Sequence, residues 1–111
     1  DLSLNFRPEW STVAVYLLVA IIFAQLYLLL IAANPQSFDL MVPAAERAPR
    51  LLQVDMIYYS LITQCSVGYG DVLPMSDTAR MLAVIQAVVG QFYMAVVVAI
   101  FVGMYATQRR D

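Results

Sequence analysis

Two long apolar stretches dominate the chain, and a shorter helical stretch lies between them. Val13 to Ala33 is a run of 21 residues with one strongly polar side chain, Gln25, and Met81 to Ala106 is a run of 26 residues without a charge. A helix rises about 1.5 Å per residue, so the shorter run is roughly 31 Å long, the hydrocarbon thickness of a bilayer. The pattern therefore predicts two transmembrane helices, over residues 10–33 and 78–107.

The residues that connect the two runs predict a loop followed by a short helix. Three prolines and scattered charges occupy residues 34–50, which is typical of a loop. Residues 51–65 are helical in pattern, with Tyr58 and Tyr59 midway, but they are too few to cross a bilayer. A short helix at membrane depth is tolerated only where protein or a water-filled cavity surrounds it. Residues 1–9 are predicted to be a lead-in to the first helix, with a frayed terminus as the alternative.

Composition supports a membrane protein and argues against several functions. The chain is 62% apolar and 13% charged, and 111 residues could not enclose a fully buried helix of this length, which is the alternative to a transmembrane one. A net charge of −2 without blocks of like charge gives no indication of a nucleic-acid partner. No His is present and the acidic residues form no metal-ligand cluster, so we expect neither an enzyme nor a cofactor. The single cysteine, Cys65, cannot form an intrachain disulfide.

The most informative segment is residues 66–71, which read Ser-Val-Gly-Tyr-Gly-Asp. Gly68 and Gly70 can adopt positive φ values at no steric cost, whereas other residues largely avoid them. Alternating such residues with ordinary ones can turn successive carbonyl groups to the same side of the chain. Carbonyl oxygens that face one axis, spaced by roughly 3 Å per residue, can replace the hydration shell of a bare cation.

This segment resembles the potassium-channel selectivity filter, usually written Thr-Val-Gly-Tyr-Gly-Asp, in five of six residues. Nearly the whole chain is similar to the two-helix pore module of prokaryotic potassium channels. Arg80 falls nine residues after Asp71, where small prokaryotic modules often carry a basic residue, and Gly90 falls nineteen after it, at the hinge glycine. The resemblance implies an all-α membrane protein, a single pore domain over residues 1–111, with two transmembrane helices, a re-entrant pore helix and a filter loop in a tetrameric channel. The alternative is a helical-hairpin membrane protein with a chance motif.

The resemblance also implies roles for individual residues. Potassium ions, as permeant ligands, would bind the backbone carbonyls of Ser66, Val67, Gly68 and Tyr69 and the Ser66 hydroxyl, with Gly70 completing the filter. The pore helix would aim its C-terminal end at a central cavity, where its partial negative charge favours a cation. An aromatic collar is expected between Tyr69 and one of the two pore-helix tyrosines, for which anchoring at the membrane interface is the alternative. The supporting residues are Tyr58, Tyr59, Thr63, Cys65 and Asp71.

Three positions depart from the family's pattern. Ser66 stands where Thr is usual; it keeps the hydroxyl but lacks the β-branch that stiffens Thr, so we expect the innermost ion site to be more mobile and less occupied. Cys65 replaces another usual Thr and is expected to pack as a small apolar residue. Ile62 stands where some relatives carry a carboxylate that pairs with the Asp at the outer end of the filter. Asp71 is therefore expected to hydrogen-bond to Tyr58 or to a water.

The second transmembrane helix has one face with regular helical spacing, made of Gln91, Met94, Ala95, Val98, Val102 and Ala106. Packing against the first helix is one explanation of this periodicity. The resemblance implies instead that the face lines the conduction path, with a hydrophobic constriction at Val98 or Val102. It also makes Gly90 the gating hinge, because glycine weakens a helix by about 1 kcal/mol relative to Ala. On this hypothesis Gly90→Ala shifts the open probability and leaves selectivity unchanged.

The function implied by the resemblance is passive, K⁺-selective conduction by a homotetramer in a lipid bilayer. Arginines near the two ends of the chain balance those in the connecting region, so the expected orientation, with both termini cytoplasmic at the plasma membrane, comes from the resemblance. A cytoplasmic regulatory domain or partner beyond the C-terminus could supply the gating stimulus. The alternatives are a weakly selective cation channel and a non-conducting membrane scaffold subunit.

Overall fold

The computed structural model is almost entirely helical. It describes residues 2–110, and the side chains of residues 10–107. Helix α1 spans Leu2–Ala33, helix α2 spans Pro49–Gln64 and helix α3 spans Asp77–Arg110. The parts of α1 and α3 that are long and apolar enough to cross a membrane are Trp10–Ala33 and Asp77–Thr107. The predicted fold class, a helical protein with two such spans, is confirmed.

All three helices begin earlier than predicted. The backbone of α1 is helical from Leu2, so it includes most of the predicted lead-in 1–9, whose side chains lie outside the described residues. Helix α2 begins at Pro49 because proline suits the first helical position, where an N–H group would have no intrahelical partner. Helix α3 begins at Asp77, and the Ala79 N–H donates to the Ser76 hydroxyl at 3.1 Å, so Ser76 is the N-cap.

The two spanning segments are largely exposed in the single chain. Only 22% of the apolar window in α1 and 6% of that in α3 is buried. A core helix of a soluble protein would be mostly buried, so the structure does not support that alternative. Such apolar surface needs lipid or other protein to cover it.

The core lies where α1, α2 and the first half of α3 meet. Small residues on α1 and α3 let the helices approach closely there, and an aromatic group fills the space beside them. Tyr27 of α1 and Tyr59 of α2 pack edge-on at 5.2 Å between ring centroids, and Phe38 packs on both, at 5.4 Å from Tyr27 and 5.1 Å from Tyr59. The small buried residues are Ala20, Ala24, Ala79 and Ala83.

The segment between α1 and α2 is more ordered than a plain loop. It contains two 3₁₀ helices, Pro35–Ser37 and Ala44–Glu46, and a short strand β1, Phe38–Asp39. Strand β1 pairs antiparallel with β2, Leu73–Pro74, which follows the glycine-rich segment. The sequence analysis predicted only a loop here, because two-residue strands carry no alternation of polar and apolar positions to recognise. The pairing ties the chain that follows residues 66–71 to the connection between α1 and α2.

Candidate functional site

The filter segment, residues 66–71, has the alternating backbone that the motif predicts. Gly68 has φ of 57° and Gly70 has φ of 87°, and both lie in the left-handed region. Ser66 also has a positive φ, 63°, which the sequence analysis did not foresee because serine largely avoids this region. Every second residue from 66 to 70 is therefore left-handed, and residues 66–71 are all exposed in the single chain.

The conformation of Ser66 follows from the way helix α2 ends. Cys65 caps the helix, the Ser66 N–H donates to the Thr63 carbonyl at 3.2 Å, and the Val67 N–H donates to the Ile62 carbonyl at 2.9 Å. These two bonds form a Schellman motif, in which the residue after the cap must be left-handed. Glycine is usual at that position, and here it is Ser66. The filter segment thus begins as the C-terminal cap of the short helix.

The last carbonyl groups of α2 all have donors. The Leu61 carbonyl accepts from the Cys65 N–H at 2.9 Å, and the Ile62 carbonyl accepts from the Gly68 N–H at 3.1 Å as well as from Val67. The Gln64 carbonyl accepts from the Tyr16 hydroxyl of α1 at 3.1 Å. Because the last carbonyl groups of a helix have no partner within the helix, these bonds satisfy the end of α2 and fix where the filter segment starts.

A buried polar cluster, made of Tyr27, Ser60, Gln64 and Gln86, joins the three helices behind the filter segment. The Tyr27 hydroxyl donates to Gln86 Oε1 at 2.6 Å. Gln86 Nε2 lies within hydrogen-bonding distance of Ser60 Oγ at 2.8 Å, the Ser60 carbonyl at 3.0 Å and Gln64 Oε1 at 3.1 Å. All four side chains are at most 1% exposed. Since polar groups in an apolar bundle must be paired, the cluster fixes the register of α1, α2 and α3.

Two further bonds fasten α2 to the backbone of α1. Gln64 Nε2 donates to the Tyr16 carbonyl at 2.7 Å, and the Ser60 hydroxyl donates to the Ala20 carbonyl at 2.5 Å. The sequence analysis assigned no role to Gln64, Ser60, Tyr16 or Gln86. The usable signal was Gln86 within the second apolar run, because a polar side chain inside a transmembrane segment generally faces a polar partner.

Gly90 lies where α3 crosses the end of α2. A Cβ atom at this position would overlap the Gln64 carbonyl oxygen and would stand 3.0 Å from Gln64 Cγ. Helix α3 is continuous from Asp77 to Arg110, and Gly90 is buried within it. Its glycine is thus required for close packing. The hinge role stays a prediction, but Gly90→Ala can no longer be expected to leave the filter segment undisturbed.

One side-chain hydrogen bond holds the far end of the filter segment, and an ion pair lies beside it. The Tyr58 hydroxyl donates to Asp71 Oδ2 at 2.8 Å, which confirms the expected partner. This hydrogen bond raises the pKa of Tyr58, because deprotonation would remove the donor to the Asp71 carboxylate. Beside it, Arg47 Nε and a second guanidinium nitrogen donate to the two carboxylate oxygens of Asp55 at 2.8 and 3.0 Å. The ion pair fastens the α1–α2 connection to α2.

The remaining predicted supports are placed differently. Tyr59 is buried in the aromatic group described above, whereas Tyr69 is 72% exposed. Within the described part of one chain no ring pair joins Tyr69 to Tyr58 or Tyr59, so a collar stays a prediction that requires a neighbouring copy. Cys65 is exposed, with the Tyr16 hydroxyl 3.6 Å from its sulfur, and it does not pack as a buried apolar residue. As the capping residue of α2 it lies at the surface where the chain turns.

The predicted pore-lining face of α3 is not the face that packs on the other helices. Gln91, Met94, Ala95, Val98, Val102 and Ala106 are all exposed in the single chain. The packed stripe runs through Ala79, Ala83, Gln86 and Gly90, and Tyr93 continues it by donating to the Thr12 carbonyl at 2.6 Å. Packing against α1 therefore does not explain the regular face. Its first residue reaches the filter segment, since Gln91 Nε2 donates to Ser66 Oγ at 2.6 Å.

Comparisons with known proteins agree with this arrangement. A family model described as an ion channel matches residues 12–107, which include the filter segment and most of α1 and α3. Protein LctB of Bacillus caldotenax is 35% identical over 95 residues, which cover 86% of this chain and 70% of that protein. No solved structure gives a significant match.

Proposed function

The chain belongs to the ion channel family, and on this premise we propose that it is the pore subunit of a prokaryotic K⁺-selective channel. Members of this family are membrane channels and not enzymes. The observation that carries the proposal is the backbone of the filter segment, left-handed at Ser66, Gly68 and Gly70 and exposed along its length. That geometry suits a column of carbonyl oxygens that takes the place of the water around K⁺.

Conduction in this proposal needs no energy source and no cofactor. A hydrated ion exchanges water for the carbonyls of Ser66, Val67, Gly68 and Tyr69 and for the Ser66 hydroxyl. Several ions occupy the column, and each entering ion displaces the next. The C-terminal end of α2 faces the start of the column, where its partial negative charge favours a cation.

The assembly that best fits this function is a homotetramer. One chain supplies one strand of carbonyls, and a ring around an ion needs several. The resemblance to potassium-channel pores implies four, so the symmetry axis would pass along the filter segments of four copies. Residues 98–107 of α3 are all exposed in the single chain, which supports packing of this part of α3 against other copies and lipid. The regular face from Gln91 to Ala106 would line the path, with its constriction at Val98 or Val102. The proposed setting is the plasma membrane, with both termini cytoplasmic.

Reversal potentials of the purified chain in planar bilayers, with K⁺ on one side and Na⁺ on the other, test selectivity. We expect a reversal potential far from zero, with the sign that K⁺ permeation gives. A value near zero would identify a weakly selective cation channel. Failure of liposomes to take up Tl⁺, although the protein is inserted and tetrameric, would identify a non-conducting scaffold.

Gly68→Ala and Gly103→Ala form a matched pair for this test. Neither added Cβ meets an atom within 4 Å, but only Gly68 has a positive φ, 57°. An alanine in that conformation costs roughly 1–2 kcal/mol in each copy. We therefore expect Gly68→Ala to lose K⁺ selectivity while Gly103→Ala retains it. Equal selectivity of the two variants would contradict the role given to the filter backbone.

A further inference from the structure

One side-chain hydrogen bond links the exposed face of α3 directly to the filter segment. Gln91 Nε2 and Ser66 Oγ are 2.6 Å apart, which is short for an amide donor and a hydroxyl acceptor. Both residues are exposed in the single chain, so no surrounding packing forces them together. The contact therefore reflects the relative placement of the two backbones.

The placement of Gln91 is set by the residue before it. Gly90 lets α3 approach the end of α2 so closely that any Cβ there would overlap the Gln64 carbonyl oxygen. Ser66 follows the cap of that same helix end, and its own N–H bonds to the Thr63 carbonyl at 3.2 Å. The close crossing of α2 and α3 thus brings the amide of Gln91 to the hydroxyl of Ser66.

Ser66 needs a restraint that its own chemistry does not supply. Its φ of 63° is costly for a β-branched residue, so the backbone favours serine over threonine. Serine, however, leaves χ1 free to rotate, whereas a β-branch would restrict it. An amide that donates to Oγ selects one orientation of the hydroxyl. A hydroxyl oxygen has two lone pairs, so one remains available for a cation.

We propose that Gln91 is a positioning residue for the innermost ion site, because its amide holds the Ser66 hydroxyl oxygen in the orientation that coordinates K⁺. This inference rests on the proposed function. The sequence analysis expected the innermost ion site to be mobile because Ser66 lacks a β-branch. On this inference the Gln91 amide of α3 restrains the Ser66 hydroxyl instead. Selectivity then also depends on where α3 lies relative to the end of α2.

The test is a double-mutant cycle on the tetramer with two readouts, the K⁺ to Na⁺ permeability ratio and the affinity for K⁺ measured by calorimetry. Gln91→Met removes the amide and keeps the side-chain length. Ser66→Gly removes the hydroxyl and retains the left-handed cap, for which glycine is the usual residue. Gln25→Met is the matched control, since Gln25 is an exposed glutamine of α1 outside the filter segment.

We expect Gln91→Met to lower the permeability ratio by about tenfold, the equivalent of about 1.4 kcal/mol, and to weaken K⁺ binding in the same direction. In the Ser66→Gly background the same change should alter either readout by less than about twofold, because the acceptor is already absent. Gln25→Met should match the wild type. A purely structural role of Gln91 would instead lower the melting temperature of the tetramer equally in both backgrounds.

Three results would overturn the inference, and they are distinguishable. If the wild type selects and binds K⁺ but Gln91→Met does the same, the inference fails and the proposed function stands. If the wild type neither binds nor selects K⁺, both fail together. Equal effects of Gln91→Met with and without the Ser66 hydroxyl would also overturn it, because the amide would then act through another group.

Discussion

The two halves of helix α3 lie in opposite surroundings although they are similarly apolar. In the first half, the stripe from Ala79 to Gly90 is buried against α1 and α2, and Gln86 is fully paired inside the buried polar cluster. In the second half, residues 98–107 are all exposed. The first half is specified by contacts within one chain, whereas the apolar surface of the second needs lipid or other protein to cover it. Apolar character alone therefore does not tell which part of this helix builds the fold.

The same substitution at a glycine in each half gives the largest contrast. Gly90→Ala forces a Cβ into the Gln64 carbonyl, so we expect it to destabilise the protein by about 2 kcal/mol or more per copy. Gly103→Ala meets no atom within 4 Å and should stabilise the helix by about 0.5–1 kcal/mol. Melting of the purified protein in detergent, followed by circular dichroism, measures both. A similar melting temperature for the two variants would contradict the close crossing at Gly90.

Gln86→Leu tests whether the first half is held by its polar bonds. It leaves the Tyr27 hydroxyl without its acceptor and Gln64 Oε1 without its donor in a buried space. Interhelical hydrogen bonds in membranes contribute about 0.6–1.7 kcal/mol each, so we expect a loss of about 1–3 kcal/mol. The control is Gln25→Leu, at an exposed glutamine of α1, which should change stability little. Denaturation in detergent would count against the cluster if both variants lost the same stability.

Val98→Asn tests the second half of α3, where we expect a substitution to change stability little. Val98 is 52% exposed in the single chain, so the substitution should change stability by less than about 0.5 kcal/mol. If Val98 belongs to a hydrophobic constriction, a polar side chain should keep it wet and raise the closed-state current. Single-channel recording checks this, with Ile100→Asn as the comparison on another face of α3. An equal rise of the closed-state current in both variants would contradict a constriction at Val98.

Asp55→Asn gives the smallest expected effect. The pair with Arg47 is bidentate, but its side chains are 28% and 23% exposed, so water weakens it. We expect a loss of about 0.5–1 kcal/mol and a more mobile α1–α2 connection. Amide hydrogen exchange over residues 40–48 should increase, while exchange over the buried stripe of α3 should not. Increased exchange at both places would show that the connection and the core unfold together.

Sequence analysis predicted the helices and the local contacts well, and the contacts between the helices poorly. The two spans, the short helix, the left-handed glycines and the Tyr58 to Asp71 bond all follow from local chemistry or from the resemblance. The buried polar cluster joins Tyr27 to Gln86, which are 59 positions apart, so no local pattern could reveal it. The resemblance assigned Gly90 a hinge role, which stays a prediction, but no sequence shows that the Gln64 carbonyl oxygen occupies the place of its missing side chain.

The sequence by itself determined which segments are apolar enough to enter a membrane, where the short helix lies and where the backbone can be left-handed without cost. Those properties belong to single residues and their near neighbours. Only the tertiary structure decided that Ser66 is also left-handed, that Gly90 is a packing residue and that Gln91 reaches the filter segment. Ser66 is left-handed because helix α2 ends in a Schellman motif, whereas the roles of Gly90 and Gln91 depend on how closely α3 crosses the end of α2. That distance is set by side chains far apart in the chain.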